Sequence, residues 1–180
     1  MGLVVSDSST LIHLAAIGRL VLLKEFYECI TVPPAVWREV VDQGKGRAGG
    51  VEVEEACQAG WIEVLAPANV GLLRLLQRDL DDGESEVIAL AVEQRADLVL
   101  LDESDARRTA DVYDLPKTGI IGLLIRAKQE GHIDSLKAEL DRLLHQGGFW
   151  FEERLYNRAL HAVGEGTDVL GDRPEVEKQI

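Results

Sequence analysis

The 180 residues contain fractions of hydrophobic (46%) and charged (28%) residues that are ordinary for one globular domain, but the formal net charge is −13. No apolar run approaches the ~18–20 residues of a membrane span, and no basic segment precedes the first apolar residues, so we expect a cytoplasmic protein with no membrane partner. The acidic balance argues against an extended nucleic-acid-binding surface unless the basic residues are clustered.

Apolar and amphipathic segments alternate along the first 65 residues. The predicted strands are short apolar runs, and they cover residues 3–5, 29–32 and 61–65. The predicted helices have apolar side chains at helical spacing, and they cover residues 11–17, 20–26, 36–41 and 51–59. A glycine-rich loop over residues 44–50 precedes the last of these helices.

The rest of the chain continues the alternation with one predicted strand, residues 98–101. The predicted helices cover residues 72–80, 84–94, 104–113, 120–130 and 135–147, and a last one ends at residue 162. Residues 116–119 are predicted as a loop. Residues 149–151 are predicted as an aromatic plug in the core.

Strands that are separated by helices predict an α/β fold. In such folds a mostly parallel central sheet is covered by helices on both faces, which gives a three-layer α/β/α arrangement. No internal repeat or break in composition divides the chain, so we expect one domain over residues 1–163. Residues 164–180 are polar and lack a clear period, and they are predicted to form a flexible C-terminal tail.

Four acidic residues stand near points where strands hand over to helices. Asp7 and Asp102 follow predicted strands, Glu39 lies in the helix after Pro33-Pro34, and Glu86 lies near the start of a later helix. Ligands of open α/β sheets bind beyond the carboxyl ends of the strands. A carboxylate cluster there would suit Mg²⁺ or Mn²⁺ and would support metal-assisted hydrolysis of a phosphodiester.

Each acid also has a purely structural explanation, and the spacing alone leaves both open. Asp7 could cap a helix, and Asp102 with Asp105 could form a turn and cap. Glu86, like Glu84, could complement a helix dipole. Glu39 could be a solvated helix residue.

A zinc site is not expected, because the cysteines and histidines lack ligand spacing. Cys29 and Cys57 form no CxxC motif and are predicted to be buried free thiols. The four histidines are scattered along the chain: His13, His132, His145 and His161.

Four basic residues are candidate contacts for phosphate groups. Lys45 and Arg47 lie in the glycine-rich loop, while Arg107 and Lys117 lie shortly after Asp102. All four could equally be solvated surface charges. The glycines lack the order of a phosphate-cradling motif.

Several segments, taken in order, resemble the PIN-domain family, and more closely one prokaryotic subgroup of it. They are Asp7-Ser8-Ser9-Thr10-Leu11-Ile12, Gly83-Glu84-Ser85-Glu86-Val87-Ile88-Ala89-Leu90-Ala91, Leu98-Val99-Leu100-Leu101-Asp102-Glu103-Ser104-Asp105-Ala106-Arg107, Thr118-Gly119-Ile120-Ile121-Gly122-Leu123-Leu124 and Gly148-Phe149-Trp150-Phe151. The resemblance covers roughly residues 2–160. Each motif alone is weak, whereas their common order is fairly specific.

The resemblance implies a Mg²⁺- or Mn²⁺-dependent ribonuclease that acts on RNA. Many relatives are toxins of toxin–antitoxin pairs, inhibited by a small antitoxin protein and often homodimeric. The positions that match the family's acidic metal-binding residues are Asp7, Glu39, Glu86 and Asp102.

The resemblance also suggests four supporting residues. Ser9 matches a small polar residue that orients the first carboxylate, and Thr118 is a second candidate for a supporting role. Glu84 could replace Glu86 as the third acid, and Asp105 could assist the fourth.

Two other functions stay open at this point. One is a catalytically inactive PIN-like module that binds a partner protein in a regulatory role, which the acidic surface favours because it could attract a basic protein. The other is a metal-dependent phosphatase on a different α/β fold. That third function is disfavoured because Ser9 stands where it would need a second Asp, two residues after Asp7.

Overall fold

Five short strands form an all-parallel sheet in the computed structural model, which describes residues 2–44 and 49–166. In chain order the strands are β1 (Val4–Ser6), β2 (Ile30–Val32), β3 (Ile62–Val64), β4 (Leu98–Leu100) and β5 (Lys117–Thr118). Their order across the sheet is β3-β2-β1-β4-β5. The chain therefore reverses its direction of travel across the sheet between β1 and β4, which is a topological switch point.

Helices connect the strands and cover the sheet. They are α1 (Ser8–Ala16), α2 (Val21–Tyr27), α3 (Pro34–Trp37), α4 (Gly50–Gln58), α5 (Val70–Leu76), α6 (Asp82–Gln94), α7 (Ser104–Val112), α8 (Ile120–Gln129), α9 (Leu136–His145) and α10 (Glu153–Ala162). A π-helical turn, Arg38–Asp42, continues α3. Within the described residues, no helix is long and apolar enough to cross a membrane. The predicted three-layer α/β/α class with a parallel sheet is confirmed.

The strands are buried on both faces, which explains their continuous apolar sequences. Val5, Val32, Val99 and Leu100 are each fully buried in one core. Parallel strands place their carboxyl ends at the same edge of the sheet. Because Ser6 of β1 pairs with Leu100 of β4, the residues that follow these two strands emerge side by side at the switch point.

The structure differs from the sequence-based predictions in three elements. Residues 117 and 118 form β5 instead of a loop, because the N–H groups of Val99 and Leu101 donate hydrogen bonds to the carbonyl oxygens of Pro116 and Thr118. The fifth helix ends at Leu76, short of residue 80. The prediction of a buried aromatic plug was wrong for Trp150, which is 78% exposed, whereas Phe151 is buried.

Two of the predicted features lie wholly or partly outside the described residues. They are the basic residues Lys45 and Arg47 and most of the predicted tail, residues 167–180. The start of that tail is described, and Glu165 there accepts hydrogen bonds from the N–H groups of Leu136 and Lys137 at the beginning of α9. Cys29 and Cys57 are free thiols, as predicted, but both are only partly buried.

Candidate metal centre

Asp7 stands directly after β1 and caps α1. Its Oδ1 accepts a hydrogen bond from the N–H of Thr10 at 2.8 Å, which satisfies one of the unpaired amides at the start of the helix. Its Oδ2 accepts a hydrogen bond from the N–H of Asp102 at 3.1 Å. The carboxylate is only 4% exposed and connects the ends of two neighbouring strands. The cap that the sequence offered as an alternative to a ligand is therefore present, and it positions Asp7 at the switch point.

Asp102 receives its hydrogen bonds from two other elements. Its Oδ1 accepts from the N–H of Ile120, the first residue of α8, at 2.9 Å, and its Oδ2 accepts from the hydroxyl of Thr10 at 3.0 Å. Thr10 thus contacts both carboxylates, one through its backbone and one through its side chain. Each carboxylate oxygen of the pair accepts one hydrogen bond and keeps further acceptor capacity.

Gly119 permits the close approach of Asp102 to α8. A Cβ atom at this position would lie 2.5 Å from Oδ1 of Asp102 and 3.1 Å from the carbonyl oxygen of Leu101. Any side chain here would push the carboxylate away. This explains why a glycine immediately precedes α8.

Burial makes the charge of both aspartates unfavourable. The pKa of Asp7 is raised from 3.8 to about 7, because the carboxyl group is desolvated and because Asp102 lies beside it, although hydrogen bonds from Thr10 and Asp102 oppose the effect. Burial also raises the pKa of Asp102, while its hydrogen bonds and the nearby Arg107 lower it. A cation bound beside the two carboxyl groups, in addition to Arg107, would allow both of them to ionise.

Glu86 is directed towards the start of α3. Its Oε2 accepts a hydrogen bond from the N–H of Ala35 at 2.7 Å, and its Oε1 lies 3.7 Å from the guanidinium of Arg38. The carboxylate therefore caps a helix that lacks a capping side chain of its own. Its side chain is 14% exposed.

Glu39 is exposed on the π-helical turn, and its Oε2 lies near Gly83 of α6. Glu84 forms a capping box with Asp81 at the start of α6, and its pKa is raised by partial burial and by neighbouring carboxylates. Asp105 pairs with Arg108.

Within residues 2–44 and 49–166, no three acidic, histidine or cysteine side chains are grouped closely enough to hold a metal ion. The pair formed by Asp7 and Asp102 is what the described structure brings together.

The supporting residues are arranged differently from the sequence-based expectation. Ser9 makes no side-chain hydrogen bond among the described residues, and Thr10 holds the acids instead. The spacing predicts the backbone part of this role, because the N–H of the third residue after a capping aspartate is the group that the cap accepts from. The hydrogen bond from the Thr10 hydroxyl to Asp102 has no such signal in the sequence. The Thr118 hydroxyl faces Gly122, where a Cβ atom would lie 2.3 Å away.

A cleft of about 510 Å³ opens beside Asp102. Arg107 and Lys117, two of the predicted phosphate contacts, line it, and so does Arg158 of α10, which sequence reasoning missed. Arg107 donates a hydrogen bond to the carbonyl oxygen of Leu101 at 2.7 Å. Lys117 forms an ion pair with Asp111.

The aspartate pair fits a hard divalent cation. Carboxylate oxygens are the ligands that Mg²⁺ and Mn²⁺ prefer, and Mg²⁺ commonly uses only one or two protein carboxylates and keeps several waters. The pKa of Asp7 is raised first by burial and then by the neighbouring charge of Asp102, and a bound cation would offset both effects. The described structure thus brings together two candidate carboxylate ligands, fewer than the four expected from the sequence.

A family model described as a PIN domain matches residues 3–165, which is most of the chain. Among curated proteins, none matches.

Proposed function

Since the chain belongs to the PIN-domain family, we propose that it is a Mg²⁺- or Mn²⁺-dependent endoribonuclease that hydrolyses phosphodiester bonds of RNA. PIN domains are generally nucleases, and the family match covers nearly all of the described residues. The observation that carries the proposal is the partly buried contact between Asp7 and Asp102 at the switch point of the sheet, the place where α/β folds bind their ligands.

Asp7 and Asp102 would hold the cation in this function. A bound cation supplies Lewis-acid activation of a water molecule and neutralises phosphate charge. Thr10 keeps both carboxylates in fixed orientations, and the N–H of Asp102 fixes Asp7. Arg107 and Lys117 add positive charge to the lining of the cleft, where it would attract a phosphate group. The reaction needs no covalent intermediate on the protein.

Glu39 and Glu86 remain proposed metal-binding residues that come from the family resemblance. For Glu86 to bind a cation it would have to share its carboxylate with the N–H of Ala35, because that bond is 2.7 Å long. Glu84 and Asp105 are proposed only as substitutes or assistants.

The proposed partners are an RNA substrate and, in the role of a toxin, a small antitoxin protein. A homodimer and a cytoplasmic location belong to the same proposal. The family resemblance supports them, and a native mass measurement of the purified protein would test the dimer.

The decisive experiment compares the parent with Asp7→Asn and with Asp134→Asn, a change of equal charge at an exposed position. We expect Mn²⁺ to raise the melting temperature of the EDTA-treated parent and of Asp134→Asn, because a ligand that binds the folded state stabilises it. We expect no shift for Asp7→Asn. Cleavage of a mixed RNA pool should require the metal and should be lost in Asp7→Asn only.

An inactive PIN-like module that binds a partner protein is the second candidate. The grouping of only two carboxylates and the commitment of Glu86 to α3 favour it. If neither a metal-dependent melting shift nor RNA cleavage is observed for the parent, the ribonuclease proposal is refuted and this second function takes its place.

A further inference from the structure

The cleft beside Asp102 is lined by both cationic and apolar side chains. These come from β5, α7, α8, α10 and the segment that contains Phe149. The volume of about 510 Å³ lies within the range of small-molecule binding sites, roughly 300–1,000 Å³. The cleft therefore has room for one small organic group next to the aspartate pair.

The charges around this cleft oppose the charge of the whole protein. Arg107, Lys117 and Arg158 line it together with a single carboxylate, Asp102, although the chain carries a net charge of −13. Lys117 is partly neutralised by Asp111, and Arg107 is held by a backbone carbonyl. Arg158 is exposed and, within residues 2–44 and 49–166, has no acidic partner. The free positive charge of the cleft is thus concentrated on α10.

Besides these charged residues, apolar side chains line part of the cleft and form its apolar wall. Ile121 and Ile125 contribute to it from α8, and Leu155 contributes from α10. Phe149 completes the wall, and the ring of His13 packs against it edge-on with a centroid distance of 4.8 Å. This contact restrains the orientation of the Phe149 ring.

We propose that this cleft binds one unpaired nucleotide of the RNA substrate, with the guanidinium of Arg158 on a phosphate group and the base against Phe149 and the neighbouring aliphatic side chains. The inference rests on the proposed ribonuclease function and adds to it the site that holds the RNA beside the reacting phosphodiester. A cationic groove with an aromatic surface is the usual arrangement for single-stranded nucleic acid. A paired base could not reach the wall, so duplex RNA should bind weakly.

Binding is best measured by fluorescence anisotropy with Asp7→Asn in EDTA, so that no metal-dependent cleavage occurs and the RNA stays intact. The probe is an unpaired, fluorescein-labelled RNA of about eight nucleotides, compared with the same RNA annealed to its complement. In this background we expect Arg158→Gln to weaken binding and to reduce the slope of log Kd against log salt concentration by about 0.7, the value for one lost phosphate contact on a single strand. Phe149→Leu should weaken binding about fivefold or more.

Lys24→Gln is the matched control, because it removes one positive charge from an exposed position on α2, a helix that contributes no residue to the lining of the cleft. It should change neither the affinity nor the salt slope. Equal affinities and slopes for Arg158→Gln and the background would overturn the inference, as would tighter binding of the duplex or an absence of binding to the unpaired RNA. Metal-dependent cleavage by the parent would still stand in those cases, so the two proposals can fail separately.

Discussion

The two groups of acidic residues on this fold differ in what surrounds them. Asp7 and Asp102 follow buried strands, contact each other through a backbone amide and have raised pKa values. Glu39 and Glu86 lie at the contact between α3, its π-helical extension and α6, where one is exposed and the other caps a helix beside Arg38. The negative charge is therefore unfavourable on the two aspartates after the strands. On the two glutamates of the helices it is either compensated, as in Glu86, or exposed to solvent, as in Glu39.

The largest expected effect is a pH-dependent stabilisation of the metal-free protein by Asp7→Asn. The folded-state pKa of Asp7 is about 7, above its ordinary value of 3.8, so the stability that the parent has below about pH 4 is lost as the pH rises through 7. Removing the charge should stabilise the protein above pH 7, on the order of 3 kcal/mol, and should have little effect at pH 4.

Urea unfolding of EDTA-treated protein between pH 4 and pH 8 would measure this difference. Glu86→Gln provides the contrast, because it should lower stability by roughly 1 kcal/mol through the weakened cap of α3. A stabilisation of equal size and pH dependence in both variants would remove the distinction between the two acidic groups.

A second prediction concerns two glycines that face the two acidic groups. Gly119→Ala should lower the free energy of unfolding by about 2 kcal/mol, because its Cβ atom would lie 2.5 Å from Oδ1 of Asp102. Gly83→Ala should be neutral or stabilising, because its nearest neighbours, in Asp81 and Glu39, are 3.4 Å away and alanine favours the helix. Thermal unfolding at neutral pH would show whether the strand-end site is the less tolerant one.

The smallest expected effect separates Thr10 from Ser9. Thr10→Val removes the buried hydroxyl that donates to Asp102, and the loss should be about 1 kcal/mol with a weaker Mn²⁺-induced rise in melting temperature. Thr10→Ser should restore the hydrogen bond and with it the metal response, whereas Ser9→Ala should change little. A large loss for Ser9→Ala with none for Thr10→Val would favour the orienting role that the family resemblance gave to Ser9.

Much of the fold followed from the sequence, because its signals are local. The apolar runs before Asp7 and Asp102 predicted two strands, and parallel strands bring their carboxyl ends together. The two-residue strand β5 carries no such signal, since it exists only through hydrogen bonds to the segment of β4. The direction of Glu86 depends on the packing of α3 against α6, and the position of Arg158 beside the cleft depends on where α10 docks. Both are tertiary contacts without a local pattern.

The hydrogen bonds of Glu165 place the end of the folded unit beyond the end of the last helix. This carboxylate holds the start of α9 through the N–H groups of Leu136 and Lys137 and the hydroxyl of Ser135. A protein shortened after Val163 would keep all of α10 but would lose these hydrogen bonds, and the first turn of α9 would fray. Crystallisation, tagging and fusion to other proteins should therefore preserve the chain through Gly166.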